Sequence, residues 1–174
     1  AFERYMEITW FGRTVLKAVD RYVNGKGITG PRGREAIGPE IDQGANMILW
    51  AEGPLMPSLW ITDERIRWEA IDGQSARLSF PLGQEKDELI VHFDPETHLV
   101  TRITALRYRD AESGKIPWHA DFLDWKTVKN ARVPARIAIT WEDQGKPWSY
   151  WDLEDYYWNV DLSGFLENHE PLAK

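Results

Sequence analysis

Only one stretch of this chain has the period of a substantial helix, and that limits the folds open to it. GPEIDQGANMILWAEGP places Ile41, Ala45, Ile48 and Leu49 at i, i+4, i+7 and i+8, one face of a helix. Pro39 suits the first helical position, where its missing N–H costs nothing. Glu40 and Asp42 fall in the first turn, where the helix dipole favours anions. Gly53 and Pro54 give the expected stop, and Pro57-Ser58-Leu59-Trp60 predicts a short second turn.

Almost everything else reads as strand. Residues 3–11 and 14–23 precede the helix. Segments 65–71, 75–81, 87–94, 99–108, 117–128, 132–142 and 147–162 follow it, separated by turn signals such as Asp72-Gly73, Pro95-Glu96 and Lys129-Asn130. One substantial helix cannot cover both faces of so large a sheet. The sheet is therefore expected to curl, with the helix over its concave side. The predicted fold class is mainly β (α+β): a strongly curved antiparallel sheet, or half-barrel, with one or two helices covering the concave face. Residues 1–162 are read as one domain and 163–174 as a C-terminal tail.

Two strands predict their own burial. In 14–23, Val15, Val19 and Val23 oppose Leu16, Ala18 and Tyr22, which suits a strand covered on both sides. In 132–142, Val133, Ala135, Ile137, Ile139 and Trp141 alternate with Pro134, Arg136, Ala138 and Thr140, which predicts one buried face and one wet or functional face.

Gly25-Lys26-Gly27-Ile28-Thr29-Gly30 spells G-x-G-x-x-G, a dinucleotide-binding pattern when a helix opens on it and an acidic strand end follows about 20 residues on. Here Pro31 and Gly33 follow at once, and ANMILWAEG occupies the later position. Asn24-Gly25 instead predicts a type I′ hairpin turn, with positive φ at both residues.

The net charge of −7 argues against a nucleic-acid partner. The lack of cysteine excludes thiolate catalysis and Cys-based metal sites. No apolar run approaches the roughly 20 residues that span a bilayer. The chain opens at Ala1-Phe2-Glu3 already in strand pattern, so any membrane contact is expected to run through a segment outside it. Ten tryptophans in 174 residues are the unusual number. They fit either aromatic pairing within a sheet core or the walls of an apolar cavity.

Candidate chemistry is sparse. His92 and His98 flank one turn, but His92, His98, His119 and His169 form no metal-ligand spacing, so no metal and no cofactor are expected. No serine sits in a nucleophile elbow. Asp121 with Asp124, or Asp152 with Glu154, could pair as general acid and base. Glu40 and Gln43 share a helix face, and helix-start chemistry explains the former. Within Asp20-Arg21-Tyr22, a buried Asp20 or Arg21 would need a partner, most simply a structural ion pair. For an apolar ligand, Ile48, Trp50 and Trp60 from the helical cover would meet Trp68, Leu78, Phe93, Ile137, Ile139 and Trp141 from the sheet. A dry, filled core of the same residues is the alternative.

DRYVNGKG, GPEIDQG, RWEAIDGQSARLSF, FDPETHLVTRI and PWHADFLDWKTVKNARVPARIAITW together resemble an uncharacterised bacterial and archaeal extracytoplasmic family. Its members often carry an N-terminal membrane anchor or signal. That family in turn resembles the lipoprotein-carrier (LolA/LolB-like) superfamily, through the units Asp94–Ile103 and Val133–Ile139. The resemblance implies a half-barrel that holds acyl chains between sheet and helices, in the cell envelope. The leading expectation is thus a non-catalytic binding domain for a lipid or other apolar small molecule. A hydrolase-like enzyme using paired carboxylates and a structural protein-interaction module are the alternatives.

Overall fold

The computed structural model describes residues 1–161. The fold is mainly β, with two antiparallel sheets, two helices and neither sheet closed into a barrel. Strands β1 (Phe2–Trp10), β2 (Arg13–Val23) and β3 (Lys26–Pro31) form a small sheet in that order. Helices α1 (Pro39–Ala51) and α2 (Pro57–Thr62) follow. Then come β4 (Arg67–Ala70), β5 (Ser75–Leu82), β6 (Glu85–Phe93), β7 (Val100–Tyr108), β8 (Lys115–Val128), β9 (Ala131–Trp141) and β10 (Pro147–Asp152). These seven pair strictly with their sequence neighbours, as a meander with β4 and β10 at its edges. The segment 163–174 lies outside the described residues.

The Asn24-Gly25 corner has φ of 50° and 81°, the paired positive angles of a type I′ turn, and joins β2 to β3. The G-x-G-x-x-G stretch therefore runs along a strand. Its middle glycine serves packing: a Cβ on Gly27 would stand 2.6 Å from the Ile41 carbonyl oxygen. The Asp42 carboxylate accepts from the Gly27 N–H at 2.7 Å and from Lys26 Nζ at 3.0 Å, fixing the helix start to the hairpin. At the other end of α1, Gly53 has no left-handed backbone. It is small because the Trp60 ring lies on it, 1.9 Å from where a Cβ would sit.

α1 is buried nearly all round, so the expected stripe understates its contacts. Gln43 is 3% exposed and ties α1 to the sheet. Its Nε2 donates to Asp87 at 2.5 Å and to the Leu106 carbonyl at 3.2 Å, and its Oε1 accepts from the Tyr108 N–H at 3.1 Å. Asn46 donates to the Pro81 carbonyl at 2.9 Å. These bonds satisfy strand ends that have no further strand to pair with. Under this part of α1 the core is dry: Met47, Leu78, Phe80, Val91 and Ile103 are wholly buried, and Trp50 stacks on Phe80 at 5.3 Å.

Three expectations need correction. Residues 14–23 are not covered on both sides: Arg13–Lys17 is exposed, because the β1–β2 hairpin projects beyond the body, with Trp10 and Phe11 at its tip. The second face of β9 is not wet throughout. Pro134, Ala138 and Thr140 are buried, and only Arg136 among the four is exposed. Tyr156 Oη reaches back to the Pro134 carbonyl at 2.5 Å, and the larger Tyr150 lies opposite Ala138. Finally, β10 ends at Asp152 rather than running to 162. Leu153 N–H still bonds the Ala135 carbonyl, after which Lys126 Nζ takes the Leu153 and Glu154 carbonyls at 2.5 and 2.6 Å in place of a ladder.

Candidate functional site

The concave face of the large sheet is longer than α1 can cover. Beyond the dry core, the small sheet arches over β8–β10 and leaves a cavity of about 490 Å³. Small-molecule sites occupy roughly 300–1,000 Å³. Its roof is the inward phase of β1, Arg4, Met6 and Ile8, with Asp20 of β2 and Thr29 of β3. Ile48, Ala51 and Glu52 at the end of α1, and Leu55 after it, form one side. The floor is one phase of β8 and β9: Trp118, Ala120 and Phe122 beside Ile137, Ile139 and Trp141. Trp151 of β10 completes it, and the exposed Trp148 stands at the rim.

Charged groups are built into this mostly apolar enclosure. Arg4 lies opposite Asp20 in the β1–β2 ladder and donates to its carboxylate at 2.9 Å. Its other Nη donates to Glu52, which caps the C-terminus of α1. A carboxylate is misplaced at a helix C-terminus, and α1 has no basic residue in its last turn; Arg4 supplies the missing cation. The Arg4 guanidinium also lies 4.6 Å from the centre of the Trp151 ring. One side chain thus joins the small sheet, the helix and the edge of the large sheet. Burial pushes both the Asp20 and Glu52 carboxyls above the usual carboxylate range, against the pull of Arg4.

Arg107 enters from β7, in the same strand phase as Ile103 and Ala105. Its guanidinium lies 5.3 Å from the Trp118 ring centre and 5.0 Å from that of Trp141. Burial lowers it to about 10, so it stays charged at neutral pH. Its Nε is sealed from solvent without a hydrogen-bond partner, as is Nε1 of Trp118. Arg109, 5.6 Å from Trp141 on the rim, is bound by Asp143 at 2.9 Å.

Of the nine cavity residues expected from sequence, the structure brings Ile48, Ile137, Ile139 and Trp141 together here. Trp50 and Leu78 are in the dry core, and Phe93 packs against it. Trp60 covers Gly53, donates to the Trp50 carbonyl at 2.8 Å and meets the exposed Trp68 edge-on. Pattern assigns these five to a concave phase or a cover, and says nothing of what fills the space above them. The expected ion pair of Asp20 is present, with Arg4 as its partner. Arg107 was missed, although a charged residue in the Ile103–Ala105 phase was a usable signal.

The candidate acids do not line the cavity. Asp121 binds Arg102 at 2.5 Å and sits beside His119. Asp124 accepts its neighbour's N–H. Asp152 is exposed and 3.5 Å from Arg136, and Glu154 is exposed. Glu40 does not join Gln43 in a site. Among the described residues, no three His, Asp or Glu side chains gather as metal ligands, and no helix is long and apolar enough to cross a membrane.

Compared with known families, residues 1–153 match DUF6544, a family of unknown function, and the chain belongs to that family. No curated protein and no solved structure matches it.

Proposed function

We propose that this DUF6544 chain is a non-catalytic binding domain that holds a lipid or other apolar small molecule between its curved sheet and its cover. The cavity carries this reading. The same concave face is packed solid under α1 and open under the small sheet, with tryptophan and isoleucine on its floor. Apolar walls with a few polar groups are the usual make-up of a small-molecule site. The resemblance to lipoprotein carriers supports the ligand class and an extracytoplasmic, cell-envelope setting. Trp10 and Phe11, 69% and 92% exposed at the hairpin tip, suit contact with a membrane surface, where aromatic side chains settle at the interface. The hydrolase-like alternative draws no support from acids that lie apart from the cavity.

The test uses a neutral hydrophobic dye, N-phenyl-1-naphthylamine, with delipidated, folded protein. Saturable fluorescence is expected, and Ala120→Phe, which puts a ring into the floor, should abolish it while the circular dichroism spectrum is kept. Absence of binding, or binding that Ala120→Phe leaves intact, defeats the proposal.

A further inference from the structure

Among the described residues, the cavity lining holds one cation that no carboxylate binds, Arg107. Arg107 makes no hydrogen bond or ion pair among the described residues, and its Nε is sealed. The carboxylates near it are committed elsewhere: Asp20 and Glu52 both bind Arg4. Asp20 acts on Arg107 through its field, without a bond. A buried donor left unpaired is costly, and a buried charge more so. The missing element is therefore an acceptor, and beside a guanidinium the complementary acceptor is an anion.

Arg107 stands at one end of the apolar floor. The Arg107 guanidinium lies over the Trp118 and Trp141 rings, and both rings are part of the same floor as Ile137 and Ile139. An anionic head at Arg107 would leave an attached apolar body lying along that floor, towards Ile48. Gly44 lies against this strand: a Cβ there would stand 2.9 Å from the Tyr108 carbonyl oxygen and 3.4 Å from Arg107 Nη2.

We infer that the ligand is an amphiphile with a single oxyanion head, carboxylate or phosphate, received by the Arg107 guanidinium. This rests on the apolar-cavity reading and adds the head-group chemistry to it. The other cations of the site already have counter-ions: Arg4 is paired with two carboxylates, and Arg109 is held by Asp143.

Three probes with one chain length test it: dodecanoate, dodecyl phosphate and 1-dodecanol, titrated calorimetrically into the folded, delipidated chain. One or both anions should bind roughly 10- to 100-fold more tightly than the alcohol, the scale of a hydrogen bond to a charged group. Which anion wins separates a carboxylate from a phosphate source. Arg107→Gln should erase that preference and leave dodecanol binding unchanged. Arg107→Met, which keeps an apolar stem and removes the charge, should erase it as well, and decides the matter if Arg107→Gln does not fold. Equal affinity for all three probes, or an anion preference that survives both variants, overturns the inference while leaving the cavity reading in place. Failure of all three to bind overturns both.

Discussion

The concave face has two halves that look alike in sequence and differ in what lies above them. Over β5–β7, α1 packs closely on the sheet, and Trp50 stacks on Phe80. Over β8–β10, the cover is a three-stranded sheet held off the floor by charged side chains, and a void remains. Both halves present isoleucine and phenylalanine inward. Residue type therefore does not separate core from cavity; the width and reach of the opposing element does.

The largest test of this contrast is to hollow each half in turn. Phe80→Ala should cost about 3–5 kcal/mol in urea unfolding, since close-packed neighbours cannot refill the space. Ile139→Ala, beside an existing void, should cost about 2 kcal/mol, the lower end for such truncations. Equal losses would mean that both halves are packed alike. Next comes the strut. Arg4→Met strands two buried carboxylates and should cost about 3 kcal/mol at neutral pH, with less loss in acid, where both can take up protons. A pH-independent loss would show that Arg4 acts through packing alone. Smaller still is Gly25→Val at the hairpin corner, about 1–2 kcal/mol for forcing a β-branched residue to positive φ, read as a lower Tm. An unchanged Tm would mean that the corner can adopt another turn.

The subtlest concerns Glu52. Its carboxyl is raised by burial in the folded protein, so the folded state holds the proton more tightly than the unfolded chain. The stabilisation is complete below the unfolded value and fades as pH rises through the folded one. The parent protein should therefore gain stability relative to Glu52→Gln as pH falls from neutral towards the ordinary glutamate value of 4.5. A gap that stays constant or moves the other way contradicts a raised carboxyl.

Local chemistry was readable from the chain. Asn24-Gly25 and Lys129-Asn130 are turns with positive φ at both residues, and Pro39 opens α1. The order of strands, helices and meander led to the curved sheet and its cover. What escaped was contact between distant segments. Ile48 and Trp50 are two positions apart on one helix, yet one borders a void and the other fills the core. Gly53 read as a helix stop, while its smallness answers a ring seven residues on. The partners of Asp20 were equally invisible, because Arg4 meets it only through the β1–β2 register.

The strictly sequential order of the meander bears on how the molecule assembles. Each of β5 to β10 can add to the strand before it across a short loop, so the loop-closure entropy of every step is small and the sheet can zip from end to end. The roof differs: Arg4 must find Glu52 across about a quarter of the chain and Trp151 across most of it. Docking of the roof is therefore expected to follow formation of the meander, and its opening to cost less than unzipping the sheet. Under the function proposed above, such an opening would widen the way in for a ligand while the meander stays intact.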